Sequence, residues 1–162
     1  MSDSIPARPL SAAAFAAFGE VLEASGAPDR LINAGNCGRF HDRARLDFAD
    51  TRAGISIFKS ACFSLPYRLA LVERHPEGSQ AFICMSSDPF LVVVARDTNG
   101  TPSRPLAFLT NGAQAINIHR NVWHGVLTPL AGPGLFAVID RIGPTRNLEE
   151  HAFAQPFIVT DG

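Results

Sequence analysis

The feature that most constrains this chain is its punctuation. Turn-forming clusters recur at Pro76-Glu77-Gly78, Ser87-Asp88-Pro89, Asn99-Gly100, Asn111-Gly112 and Gly132-Pro133-Gly134, and they combine residues that preset or permit turn dihedrals. Around and between them lie short apolar runs at 54–59, 67–75, 80–85, 90–96, 105–110, 115–119, 122–127 and 135–141. Strand candidates at intervals of roughly 8–12 residues predict an antiparallel sandwich or barrel. Alternation with long helices, the mark of a parallel α/β sheet, is missing. Two short helices are expected: one capped by Ser11, running from Ala12 to Phe18 and stopped by Gly19, and a weaker one from Asn147 to Ala152. The expected fold is a single mainly β domain over residues 1–162, an antiparallel jelly-roll barrel with a short N-terminal helix. Barrels of this kind often enclose a ligand cavity rather than a solid core.

Composition narrows the partners. With 46% apolar and 18% charged residues in 162, the chain can build one real core. Lys plus Arg number 14 and Asp plus Glu 15, for a net charge of -1. That balance gives no electrostatic footprint for nucleic acid or an anionic membrane. A small molecule or a second copy of the chain is the expected partner. The three cysteines, Cys37, Cys62 and Cys84, lack any CxxC pair, so neither a disulfide framework nor a zinc knuckle is expected. The start has no basic segment followed by an apolar one. The dense apolar run Phe90–Ala95 is far shorter than the ~20 residues that cross a bilayer. Cytoplasm is the expected compartment.

Candidate chemistry falls in two clusters. If 67–75 is extended, alternation puts Tyr67, Leu69, Leu71, Glu73 and His75 on one face and Arg74 on the other. An acid and an imidazole ending an apolar face suit a pocket at a sheet mouth, because an uncompensated buried carboxylate is costly. Gln80 opens the next run and falls close to them. The alternative is an ordinary surface pair. The second cluster, Asn117-Ile-His119-Arg-Asn-Val-Trp123-His124, holds two histidines. His119 reads as a turn residue and Trp123 as packing, whereas His124 is the polar member of the face it shares with Val122 and Val126.

Glu73-x-His75-x4-Gln80 followed by His124 has the layout of cupin motifs, with Glu in place of the first histidine and Gln in place of the acid. His75, His124, Glu73 and Gln80 are therefore the candidate ligands of a divalent metal, held more weakly than by the usual set. More specifically, Glu73-Arg-His-Pro-Glu-Gly-Ser-Gln-Ala-Phe82, Thr110-Asn-Gly112, His119-Arg-Asn-Val-Trp-His124 and Ile139-Asp-Arg141 resemble the ureidoglycolate lyase family. So do Pro9-Leu-Ser, Phe15-x2-Phe18-Gly19, Ile32-Asn33 and Arg39-Phe-His-Asp42, in the same order along the chain. The resemblance implies a cupin-like barrel, commonly a homodimer. It implies elimination of urea from (S)-ureidoglycolate to give glyoxylate in allantoin and purine catabolism, and an association with nickel.

Breaking that C–N bond needs the hydroxyl proton removed and the departing nitrogen protonated, a task for positioned acid–base groups. On this reading Glu73 or His75 takes the hydroxyl proton, and His124 protonates or orients the leaving group. A bound metal would instead acidify the hydroxyl. The substrate carboxylate needs a cation or amide donors. Lys59, Gln80, Asn33 and Arg141 are the candidate contacts, although Arg141 could equally form a structural ion pair with Asp140. Two other classes share the barrel: another metal-dependent cupin enzyme (dioxygenase or isomerase), and a non-catalytic small-molecule-binding module.

Overall fold

The computed structural model describes residues 3–162. It is mainly β. In chain order the strands are β1 (Ser4–Pro9), β2 (Gly19–Leu22), β3 (Arg30–Ile32), β4 (Cys37–Arg39), β5 (Arg52–Lys59) and β6 (Tyr67–Arg74). They continue with β7 (Gln80–Cys84), β8 (Phe90–Ala95), β9 (Asp97–Thr98), β10 (Thr101–Pro102) and β11 (Leu106–Leu109). The last five are β12 (Ala115–Ile118), β13 (Trp123–His124), β14 (Thr128–Pro129), β15 (Leu135–Ile142) and β16 (Glu149–Thr160). One helix, α1 (Ala12–Phe15), precedes β2.

Ser11 caps α1 as its sequence predicts, its hydroxyl accepting from the Ala14 amide at 3.3 Å. The helix is shorter than expected because Phe15 and Phe18 both turn into the core and Gly19 begins β2. The helix expected at 147–152 does not form. Residues 149–152 instead pair with 71–74 at the start of β16, where ladder hydrogen bonds replace helical ones. Asn147 does accept a backbone N–H through its side chain, but from Glu77 in a facing turn at 2.6 Å.

Six strands close into a mixed barrel in the order β11-β1-β16-β6-β13-β8, with β8 returning to β11. Most neighbours are antiparallel, as expected, but β1 runs parallel to both β11 and β16. A five-stranded sheet, β2-β12-β7-β15-β5, packs against this ring. The ring strand that serves both layers is β8, whose six residues are all buried. Leu91, Val93 and Ala95 join the core with Ile5, Leu69, Val72, Trp123 and Val159. Phe90, Val92 and Val94 face the other way, onto Phe82, Ile116, Phe136 and Val138 of the five-stranded sheet. A continuous apolar run with no polar alternation is what such two-sided burial requires.

β6 does not keep the simple alternation that its sequence predicts. Residues 153–156 of β16 bulge opposite Ala70, between the Ala152–Leu71 and Phe157–Leu69 pairs. Pro156 is accommodated in that bulge, a usual place for proline in a sheet. Leu69 and Val72 therefore both reach the ring core, and Glu73 points to the opposite side from Leu69.

The packing gives a direct expectation for stability. Phe136 is fully buried, edge-on to Phe90 with ring centroids 5.1 Å apart. Phe136→Ala should lower the unfolding free energy by about 3–5 kcal/mol in urea titrations, and a loss under ~1 kcal/mol would contradict this two-layer core.

Candidate functional site

Three strands bring the two sequence clusters together. His124 on β13 pairs with Glu73 on β6 and with Val94 on β8. Directly paired residues share a sheet face, so His124 and Glu73 lie on the same side as Val94, facing the five-stranded sheet. Phe82 of that sheet sits 6.5 Å from the His124 ring. From the opposite wall come Gln80 of β7 and Asp140 of β15, which alternation puts on the same side as Phe82, Phe136 and Val138. His75 follows β6 and its ring lies 5.2 Å from that of His124. One donor atom from each of Glu73, His75 and His124 falls within 4.8 Å of the others.

The hydrogen bonds define what each group can do. His124 is only 1% exposed, and its Nδ1 lies 2.9 Å from the Gly125 carbonyl oxygen. A carbonyl only accepts, so Nδ1 carries the proton and donates. Nε2 then presents a lone pair, and this buried atom has no partner. Burial holds the imidazole neutral, pushing its pKa down from 6.5 to about 4; the neighbouring His75 adds to the effect and the Gly125 bond partly offsets it. Burial also raises the Glu73 carboxyl above its usual range, with His75 pulling it back and Glu150 pushing it further up.

His75 sits between two acceptors. Nδ1 lies 2.6 Å from the Asn147 carbonyl oxygen and Nε2 lies 3.1 Å from Gln80 Oε1. Gln80 donates its amide to Asp140 Oδ2 at 3.3 Å, which fixes the oxygen end toward His75. Only a ring with hydrogen on both nitrogens satisfies both contacts.

The remaining candidates are distributed differently. Lys59 pairs with Leu135, whereas Gly54 of the same strand pairs with the Asp140 that reaches the site. At about 3.4 Å per residue, Lys59 is some 17 Å along the strand from that level. Asn33 lies in the exposed turn between β3 and β4, in the left-handed region at φ 54°. Arg141, with only 5% of its side chain exposed, bonds Glu77 Oε2 at 3.0 Å and Thr145 Oγ1 at 2.7 Å. It braces the turn that follows His75 rather than pairing with Asp140. Gly78 in that turn has no room for a side chain, since a Cβ would come within 2.8 Å of the Arg141 Cβ. Arg74 is on the far face, stacked 4.3 Å over Trp123 and bridged to Asp97 and Glu149.

Sequence reasoning gave Asp140 only an ion pair with Arg141 and Asn147 only the start of a helix, and placed neither in the site. Asp140 had a legible signal, because it alternates with Phe136 and Val138 on an inward face. Asn147 had none, since its role rests on a backbone carbonyl brought in by the loop between β15 and β16.

The donor chemistry of Glu73, His75 and His124 fits a divalent cation: a carboxylate, two imidazoles and one orphaned buried Nε2. Gln80 is less suited, because its oxygen is engaged by His75 and its amide by Asp140. His75 would have to give up one carbonyl contact to ligate.

The profile of the ureidoglycolate lyase family matches residues 2–160. The chain is 57% identical over 152 residues to a ureidoglycolate lyase of Rhodobacter capsulatus, covering 93% of this chain and 94% of that one. It is 50% identical over 157 residues to ureidoglycolate lyase 2 of Rhizobium meliloti, covering 96% of each. A ureidoglycolate lyase of Rhizobium etli is 46% identical over 163 residues, covering 99% of this chain and 98% of the relative. The chain belongs to the ureidoglycolate lyase family.

The buried His124 makes stability depend on pH in a known sense. Unfolded, its imidazole titrates near 6.5; folded, near 4. Between those values the unfolded state binds the extra proton. The stabilisation is thus fully present above pH 6.5 and falls as pH drops toward 4, by roughly 3 kcal/mol in all. Glu73, raised from 4.5, acts in the opposite sense at the acid end, so the comparison must be between variants. In metal-free protein, His124→Gln should flatten the loss of thermal stability between pH 7 and pH 4.5. An equally steep loss in the variant would show that His124 is not the group responsible.

Proposed function

We propose that this member of the ureidoglycolate lyase family cleaves (S)-ureidoglycolate to glyoxylate and urea between Glu73, His75 and His124, as a step of allantoin and purine catabolism in the cytoplasm. The observation that carries the site assignment is the convergence of a carboxylate and two imidazoles, with one donor atom of each within 4.8 Å of the others and the buried Nε2 of His124 unpartnered. Ureidoglycolate carries a hydroxyl, a carboxylate and a urea nitrogen on one carbon. Glu73, whose basicity is raised by burial, accepts the hydroxyl proton as the carbonyl of glyoxylate forms. The C–N electron pair leaves with the urea nitrogen, which takes a proton from His75 Nε2 as that N–H shifts its hydrogen bond from Gln80 Oε1 to the departing nitrogen. Proton return from Glu73 to His75 restores the starting state.

Of the two roles that the sequence allows His124, protonating or orienting the leaving group, the hydrogen bonding of its ring supports the second. Its Nε2 holds a lone pair rather than a hydrogen, so it accepts from the substrate hydroxyl or a urea N–H and orients it. Gln80 contributes by holding His75 through its side-chain oxygen. A divalent cation such as nickel, held by Glu73, His124 and a released His75, would supply Lewis-acid polarisation of the substrate oxygens.

The functional unit is proposed to be a homodimer. Ile55 and Ile57, 73% and 60% exposed on β5, lie on the outer face of the five-stranded sheet beside Ile139 and Ala137 of β15 and near Ile83 of β7. A solvated antiparallel face is normally polar; this apolar one fits a second copy of the same sheet related by a two-fold axis.

Two measurements test these proposals. With folding checked by circular dichroism, Glu73→Gln and His124→Ala should each lower kcat for glyoxylate and urea release by at least ~10²-fold; wild-type rates in both would remove the site assignment. Ile55→Glu combined with Ile57→Glu should convert a dimer to a monomer in sedimentation velocity. An unchanged sedimentation coefficient would move the interface elsewhere.

A further inference from the structure

Asp140 has no part in the proton transfers above, yet it faces inward at the edge of the site. Its Oδ2 accepts from Gln80 Nε2 at 3.3 Å, and the other end of that amide, Oε1, meets His75 Nε2 at 3.1 Å. A glutamine amide is nearly symmetric in shape but not in chemistry: one end only donates and the other only accepts. Without a neighbour that discriminates the ends, the two flipped orientations compete. A carboxylate discriminates fully, because it accepts and does not donate.

We infer that Asp140 is a positioning residue, which locks the flip of Gln80 so that an acceptor always faces His75 and the imidazole keeps one placement against Glu73 and His124. The other nitrogen of His75 is held by the Asn147 carbonyl at 2.6 Å. Asn147 is itself tied down, since its side-chain oxygen accepts from the Glu77 amide at 2.6 Å. The ring is thus gripped from two sides: by Gln80 of β7, backed by Asp140 of β15, on one, and by the loop before β16 on the other. The backbone carbonyl cannot flip. The amide can, and Asp140 is the group that prevents it. Register keeps the contact in place, because β15 and β7 are paired at Ile139–Ala81 and Val138–Phe82, immediately beside Asp140 and Gln80.

The inference rests on the proposed site, and it can be judged apart from it by an exchange of the two groups. Asp140→Asn leaves a side chain of the same shape that either donates or accepts, so Gln80 is free to turn. In the double variant Asp140→Asn with Gln80→Glu, the new carboxylate faces His75 with one oxygen and accepts from the new amide with the other. Charge and acceptor geometry are both restored. The expected result is a kcat for ureidoglycolate about 10- to 100-fold lower in D140N, with KM changed less than about threefold and the melting temperature close to that of wild type. The double variant should recover most of the lost kcat. Long-range 1H–15N spectra of the His75 ring read the same effect without turnover: a second or displaced set of signals in D140N, and a single set again in the double variant. Unchanged His75 signals in D140N, or a kcat loss that the exchange does not recover, would overturn the assignment. If the wild-type protein released no glyoxylate or urea, the proposed reaction would fall while the spectra still decided the positioning role.

Discussion

Strand β8 holds the two halves of this molecule together. Its residues alternate between two separate apolar cores, one inside the closed ring and one between the ring and the five-stranded sheet. Because both faces are buried, β8 has no side on which to carry polar chemistry. The reactive groups are displaced onto its short neighbour β13 and onto the end of β6 beyond. His124 is the clearest result of this arrangement: it takes the face of Val94, and so inherits a nearly dry environment. Trp123, one residue earlier, takes the face of Ala95 and packs into the ring.

Burial then shapes the chemistry. A dry site penalises charge on both Glu73 and His124, which brings the carboxylate up and the imidazole down. Those two shifts make Glu73 the better proton acceptor and leave His124 a neutral acceptor of hydrogen bonds. The third member, His75, is supported by the buried Gln80, which Asp140 holds in turn, and by the Asn147 carbonyl. Its polar support comes from the five-stranded sheet and from the loop before β16. The site therefore needs both layers and a loop distant in sequence to be assembled at once.

Much of this was legible in the chain. The turn clusters and apolar runs predicted the strands from β5 to β8 and β11, β12 and β15 within a residue or two, because turn chemistry and two-fold alternation are local properties. Glu73, His75, Gln80 and His124 were also legible, although the apolar face assigned to Glu73 was partly wrong. The bulge at 153–156 shifts the phase of β6 near Ala70, and a bulge is set by the partner strand rather than by β6 itself. For the same reason β16 could read as a helix start at Asn147: its strand character comes from pairing with β6, far away in sequence. The parallel placement of β1 is likewise a property of its neighbours. Arg141 shows the limit for side chains, since its bonds to Glu77 and Thr145 depend on how two loops meet.

The central claim is that one small substrate sits between Glu73, His75 and His124. A crystal structure of the protein soaked with glyoxylate and urea tests it most directly. The account predicts an oxygen of glyoxylate at about 3 Å from the Glu73 carboxyl and a hydrogen bond from the ligand into Nε2 of His124. Glyoxylate held instead elsewhere, for example in the groove between Arg8 and Arg104 on the outside of the ring, with the three residues untouched, would contradict it.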